Sequence, residues 1–113
     1  MRKMKENYHV HWRKIIVSGV ASFDSVARVY SQDPGSSPTG GYLGFTERGS
    51  LVHEYEEIAY SMDPGDISSP IKSQFGYHLI RLIERRGEKI SSQHILRFID
   101  FSHKDKLGAI NFI

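Results

Sequence analysis

The run Tyr77-His78-Leu79-Ile80-Arg81-Leu82-Ile83, entered through Gly76, constrains this chain more than any other stretch. Its aromatic and branched side chains have the composition and length of a buried β-strand. Two turns lead into it. Asp63-Pro64-Gly65-Asp66 combines a proline that presets φ with a glycine that tolerates positive φ, and Ser73-Gln74-Phe75-Gly76 follows after a short extended segment, Ile67 to Ile71, stiffened by Pro70. The second turn presents Phe75 beside His78, at the mouth of the strand. An ionisable ring framed by aromatics at that place is what a small polar site inside an apolar cleft looks like.

The 113 residues, 39% hydrophobic and 25% charged, suffice for one domain with a real core. Their net charge of +2 is too mild, and the Lys and Arg too scattered, to point to nucleic acid. The absence of cysteine excludes a disulfide, a thiolate nucleophile and a Cys-based metal site. His9 and His11, two apart on a helix, face opposite ways and cannot share an ion. With His53 and His103 elsewhere, neither a metal site nor a cofactor is expected. No window approaches a membrane span, and no apolar signal core follows Met1, so membrane insertion is not expected and an export signal is expected outside this chain.

In chain order, Met4, Tyr8, Trp12, Ile15 and Ile16 recur at helical spacing before Gly19. Ser22 can cap a second helix over Phe23–Tyr30. Residues 31–41, with two prolines and three glycines, read as loop, and Tyr42–Phe45 as a short extended segment. A third helix is expected over Leu51–Ser61, its acids Glu54, Glu56 and Glu57 near the positive end of the dipole. Ile90–Phe98 is a further strand. A three-residue turn, Arg85-Arg86-Gly87, would pair Glu84 with Glu88 and set His78 directly opposite His94, with Ile80, Leu82, Ile90 and Leu96 on the same face. Asp100–Ile113 offers a helix start at Ser102.

These residues form a pattern. Phe23-x-x-Val26-Ala27-x-x-Tyr30-Ser31, Asp33-Pro34-Gly35-Ser36, Gly40-Gly41-x-Leu43-Gly44, Arg48-Gly49, Glu54-Tyr55-Glu56, Gly65-Asp66-Ile67-Ser68-x-Pro70 and Phe75-Gly76-Tyr77-His78 follow one another in order. Over about Val17 to Arg85 the chain resembles a parvulin-type peptidyl-prolyl cis-trans isomerase, of the kind found in bacterial extracytoplasmic foldases with tandem domains. The resemblance implies an α+β, FKBP-like fold: an antiparallel sheet of about four strands surrounded by three to four helices. It also implies a periplasmic or cell-envelope location for the full-length protein.

The family opens with a strand reading roughly x-H-I-L, which nothing in Met1–Gly19 supplies. Ser92-Gln93-His94-Ile95-Leu96 instead stands after the last strand. Residues 1–86 are therefore expected to be an isomerase domain lacking its own first strand. Residues 87–113 would begin a following repeat, with Gln93–Phe98 free to fold back into the vacant slot or to be exchanged with another copy.

As the resemblance implies, Asp33, Ser73, His78 and His94 carry the catalytic network, and Leu43, Leu51, Tyr55 and Phe75 line the proline pocket. The expected substrates are unfolded or extended proline-containing polypeptides, and the basic loop of phosphate-directed relatives is missing. Thr46 stands where the family often has an aromatic. Read without the family, Leu43, Leu51 and Tyr55 suit any core, Phe75 reads as a plug on a sheet, His78 as a structural histidine, and Asp33 and Ser73 as ordinary turn residues. A second function uses the same groove: a peptide-binding chaperone module without turnover.

Overall fold

The computed structural model describes residues 4–98. Three helices, α1 (Met4–Val17), α2 (Phe23–Tyr30) and α3 (His53–Ala59), surround strands β1 (Tyr42–Thr46), β2 (Ile71–Lys72), β3 (Gly76–Arg86) and β4 (Lys89–Phe98). The strands form one antiparallel sheet in the order β1-β4-β3-β2. β3, which contains the run after Gly76, and β4 are the two inner strands, which is why their residues are the most continuously buried.

Both faces of the sheet are covered. Leu79 and Ile95 point to one side, against Trp12 of α1 and Phe23, Val26 and Ala27 of α2. Ile80, Leu82 and Ile90 point to the other, against Tyr55, Ala59 and Met62. The alternation along β3 follows from the two-residue period of a strand. Ser22 caps α2 as expected, accepting the Ser25 N–H through its hydroxyl.

Helix α3 is shorter than the expected Leu51–Ser61. Val52 is extended and serves as its N-cap, so the helix begins at His53. The Glu56 carboxylate reaches back to accept the N–H groups of Gly49 and Leu51, satisfying donors that an earlier helix start would have enclosed. The helix start at Ser102 lies outside the described residues.

The hairpin departs from the expected register. A two-residue turn, Gly87-Glu88, joins Arg86 to its partner Lys89, with Gly87 at φ +60° and no positive φ at Glu88, the pattern of a type II′ turn. His78 therefore opposes Leu96, and His94 opposes Ile80. The two histidines are diagonal neighbours, not directly opposite. What keeps them on one face is a bulge. Leu82 pairs with Ser92 and Glu84 with Ser91, which leaves Ile83 without a counterpart. Carried on without that extra residue, the register would set His94 opposite Arg81 and turn its ring to the far side of the sheet.

Candidate active site

The bulge brings the two imidazoles together on the α3 side. Their rings stack with centroids 5.4 Å apart and an interplanar angle of 23°. Tyr55 meets both edge-on, at 5.6 and 5.7 Å. Its hydroxyl is held 2.7 Å from Ser92 Oγ, and burial pushes its pKa well above the ordinary tyrosine range, so it stays a neutral phenol.

Four polar side chains then form one line. Asp33 Oδ2 lies 2.7 Å from His94 Nε2, His94 Nδ1 lies 3.2 Å from His78 Nδ1, and His78 Nε2 lies 2.6 Å from Ser73 Oγ. The Phe75 N–H donates to Ser73 Oγ at 3.1 Å. With both rings neutral the polarity of this chain is forced. An ionised Asp33 only accepts, so His94 donates through Nε2 and accepts at Nδ1 from His78. His78 then accepts at Nε2 from the Ser73 hydroxyl.

Each member is placed by local backbone chemistry. Asp33 closes a turn, its carbonyl accepting the Ser36 and Ser37 N–H groups. Its Oδ1 accepts the Gly35 N–H, and Oδ2 accepts the hydroxyl of the buried Ser36 at 2.7 Å. Foremost the His94 hydrogen bond, and then Ser36, hold its pKa down to about 2 against the opposing effect of burial. Ser73 sits in a turn closed by reciprocal backbone bonds with Gly76. Gly76 has φ +149°, and a side chain there would collide with the Arg97 carbonyl.

Burial first, and the neighbouring His94 and His9 next, depress the His78 pKa from 6.5 to about 3, with Asp33 pulling the other way. Below pH 6.5 the unfolded imidazole takes up a proton that the folded one refuses, so stability falls on acidification from pH 6.5 towards 3. For this one group the slope approaches about 1.4 kcal/mol per pH unit. Urea midpoints across that range should show the slope, and His78→Gln should flatten it. Equal slopes in both proteins would mean that His78 titrates normally.

Above this polar line lies a groove of about 380 Å³, lined by Asp33, Leu43, Ser50, Leu51, Val52, Tyr55, Phe75, His78, His94 and Leu96. All four residues expected to form a pocket are there, and Ser73 stands behind His78. Leu43 and Leu51 are at once wall and core, packing on the Tyr55 cluster. Thr46 is not among the lining residues, and Val52 and Leu96 supply apolar wall that the sequence reading did not assign. Ser36 and Ser50 were also missed. Ser36 stands in the run Asp33-Pro34-Gly35-Ser36, three residues after a turn aspartate, but was given no role there. His9 is buried in the α1 interface, its Nε2 3.2 Å from the Ile95 carbonyl and its ring against Trp12, so it serves packing.

Comparison with known proteins agrees with this geometry. The rotamase family model, the PPIC-type PPIASE domain, matches residues 3–84, a stretch that ends inside β3 and leaves β4 outside. The foldase protein PrsA of Geobacillus kaustophilus is 43% identical over 67 residues, which are 59% of this chain and 24% of that protein. The chaperone SurA of Albidiferax ferrireducens is 45% identical over 82 residues, 73% of this chain and 18% of its own length. The crystal structure of the peptidylprolyl isomerase PrsA from Bacillus cereus superposes with a TM-score of 0.67 at 30% identity, covering 93% of this chain and 37% of that one. The chain thus spans a quarter or less of these curated relatives. With its family match and its four-stranded antiparallel sheet, the chain belongs to the parvulin, or PPIC-type, peptidyl-prolyl isomerase family.

Proposed function

We propose that this domain catalyses cis-trans isomerisation of X–Pro bonds in unfolded or extended polypeptides and so assists their folding. The observation that carries the reading is a largely apolar groove of about 380 Å³, ample for a proline ring, with an ionised, largely enclosed carboxylate in its lining. Rotation about the imide must overcome a barrier of ~18–20 kcal/mol, because twisting removes the resonance between nitrogen and carbonyl.

In the planar imide, resonance loads negative charge onto the carbonyl oxygen. Twisting withdraws it. A fixed negative charge near that oxygen disfavours the planar state more than the twisted one, which lowers the barrier. Asp33 supplies the charge, with its side chain only 15% exposed. His94, His78 and Ser73 hold its orientation. Leu43, Leu51, Val52 and Phe75 seat the proline ring and exclude water. No covalent step is required, and none of the ten lining residues is a lysine or arginine that would recruit a phosphorylated residue. The resemblance to extracytoplasmic foldases supports a place of action outside the cytoplasm.

Exchange NMR on a short proline peptide tests the activity. Cis–trans cross-peaks at substoichiometric protein are expected, against an uncatalysed exchange of roughly tens to hundreds of seconds. Shift changes without faster exchange would reduce the domain to a peptide binder. Asp33→Asn keeps the shape and most of the hydrogen bonds but removes the charge. It should lower kcat/KM by at least about tenfold, or about 1.4 kcal/mol of barrier. An unaltered rate would take Asp33 out of the mechanism.

A further inference from the structure

Strand β1 stops pairing with β4 at Tyr42 and Gln93, and the next N–H of β4 on that side, from His94, donates to the Gly41 carbonyl. From there on the segment Ser31-Gln32 stands in for a strand. The Gln32 N–H donates to the Leu96 carbonyl at 2.7 Å, and the Gln32 side-chain carbonyl accepts the Phe98 N–H at 2.7 Å. Ser31 terminates α2, its N–H bonded to the Ala27 carbonyl. Its hydroxyl oxygen accepts two amides at once: Leu96 N–H at 3.1 Å and Asp33 N–H at 3.4 Å. Leu96 lies two residues beyond His94, and Asp33 two residues beyond Ser31. Together with the 2.7 Å bond between Asp33 and His94, these contacts close a ring with the Ser31 oxygen at its hinge.

We propose that Ser31, which lies outside the groove, is a positioning residue that sets Asp33 against His94 by tying the loop that carries one to the strand that carries the other. The hydroxyl is the needed group because one oxygen can accept from both backbones. The inference rests on the isomerase reading for its kinetic consequence. Its geometric content, the placing of one carboxylate against one ring, does not depend on that reading.

The test compares Ser31→Ala, Ser31→Thr and Gln32→Ala in the full chain. Ser31→Ala should lower kcat/KM for a proline peptide about five- to thirty-fold. It should also raise the Asp33 carboxyl titration, followed by carboxyl-carbon NMR, from about 2 towards 3.8 as the His94 bond loosens. Ser31→Thr, which keeps the oxygen, should restore both. Gln32→Ala removes an anchor on the same strand but leaves the ring intact, and should move neither. If Ser31→Ala does not fold, Ser31→Cys, of similar shape but a weak acceptor, should shift the titration in the same direction. An Asp33 titration unchanged in Ser31→Ala or Ser31→Cys, or moved equally by Gln32→Ala, would overturn the proposal. Absence of catalysis in the unsubstituted protein would sink the isomerase reading alone, because the titration would still decide the role of Ser31.

Discussion

Gly41→Ala is expected to destabilise the domain by about 3–5 kcal/mol, one of the largest losses available from a single methyl group. Two costs coincide at this position. Gly41 has φ +86°, where an L side chain is strained by roughly 1–2 kcal/mol. A Cβ there would also collide with the His94 carbonyl oxygen and stand 3.1 Å from the Ala27 side chain. The first neighbour is backbone of an inner strand and cannot move aside cheaply. Any retreat of the loop breaks the bond from the His94 N–H to the Gly41 carbonyl, which helps hold β4 in register. Gly44 supplies the control: its φ is +72°, but nothing lies within 4 Å of an added Cβ, so Gly44→Ala should cost only the strain. Urea unfolding of the two variants separates the terms. A difference below about 1 kcal/mol would show that the loop yields freely.

The two glycines also show what can be read from a sequence of this kind. The helix over Phe23–Tyr30 was legible because Ser22 is a side-chain cap and Phe23, Val26 and Ala27 keep helical spacing, both local signals. The strand after Gly76 was legible from its run of branched residues. The face shared by Ile80, Leu82, Ile90 and Leu96 was legible too, because beyond the bulge the observed pairing differs from the expected one by two residues, an even shift that keeps the two-residue period in phase. The pairing itself was not. Whether Arg85-Arg86-Gly87 or Gly87-Glu88 makes the turn depends on where the chain takes its positive φ and on whether a bulge compensates downstream. Ile83 carries no composition signal of a bulge.

The site divides along the same line. Asp33, Ser73, His78 and His94 came from the family pattern, since a turn aspartate or serine alone looks like many others. Ser31 and Ser36 escaped because their roles depend on contacts across 65 residues and within a folded loop respectively. The Ser31 contact is made only when β4 is in place.

That dependence leads to the second large effect. We propose that the folding unit runs through Phe98, with β4 filling the slot of the family's opening strand, although the family match ends at residue 84. β4 lies between β1 and β3, so a chain ending at Arg86 would leave the ladder edges of both without a partner. It would remove Ile95 from one core cluster and Ile90 from the other. Losing each buried aliphatic side chain costs about 2–5 kcal/mol, and a domain of this size is stable by only about 5–15 kcal/mol. Gln93, wholly buried and bonded to Arg81, Asp24 and the Gly40 carbonyl, would take with it a link between β3, α2 and the loop before β1. His94 would go too, leaving Asp33 and His78 without the ring that joins them. The chain ending at Arg86 should therefore lack a cooperative thermal transition and isomerase activity, while a chain ending at Phe98 keeps both. Cooperative melting of the shorter chain within a few degrees of the longer one would show that the sheet closes without β4, and the boundary would return to Arg86.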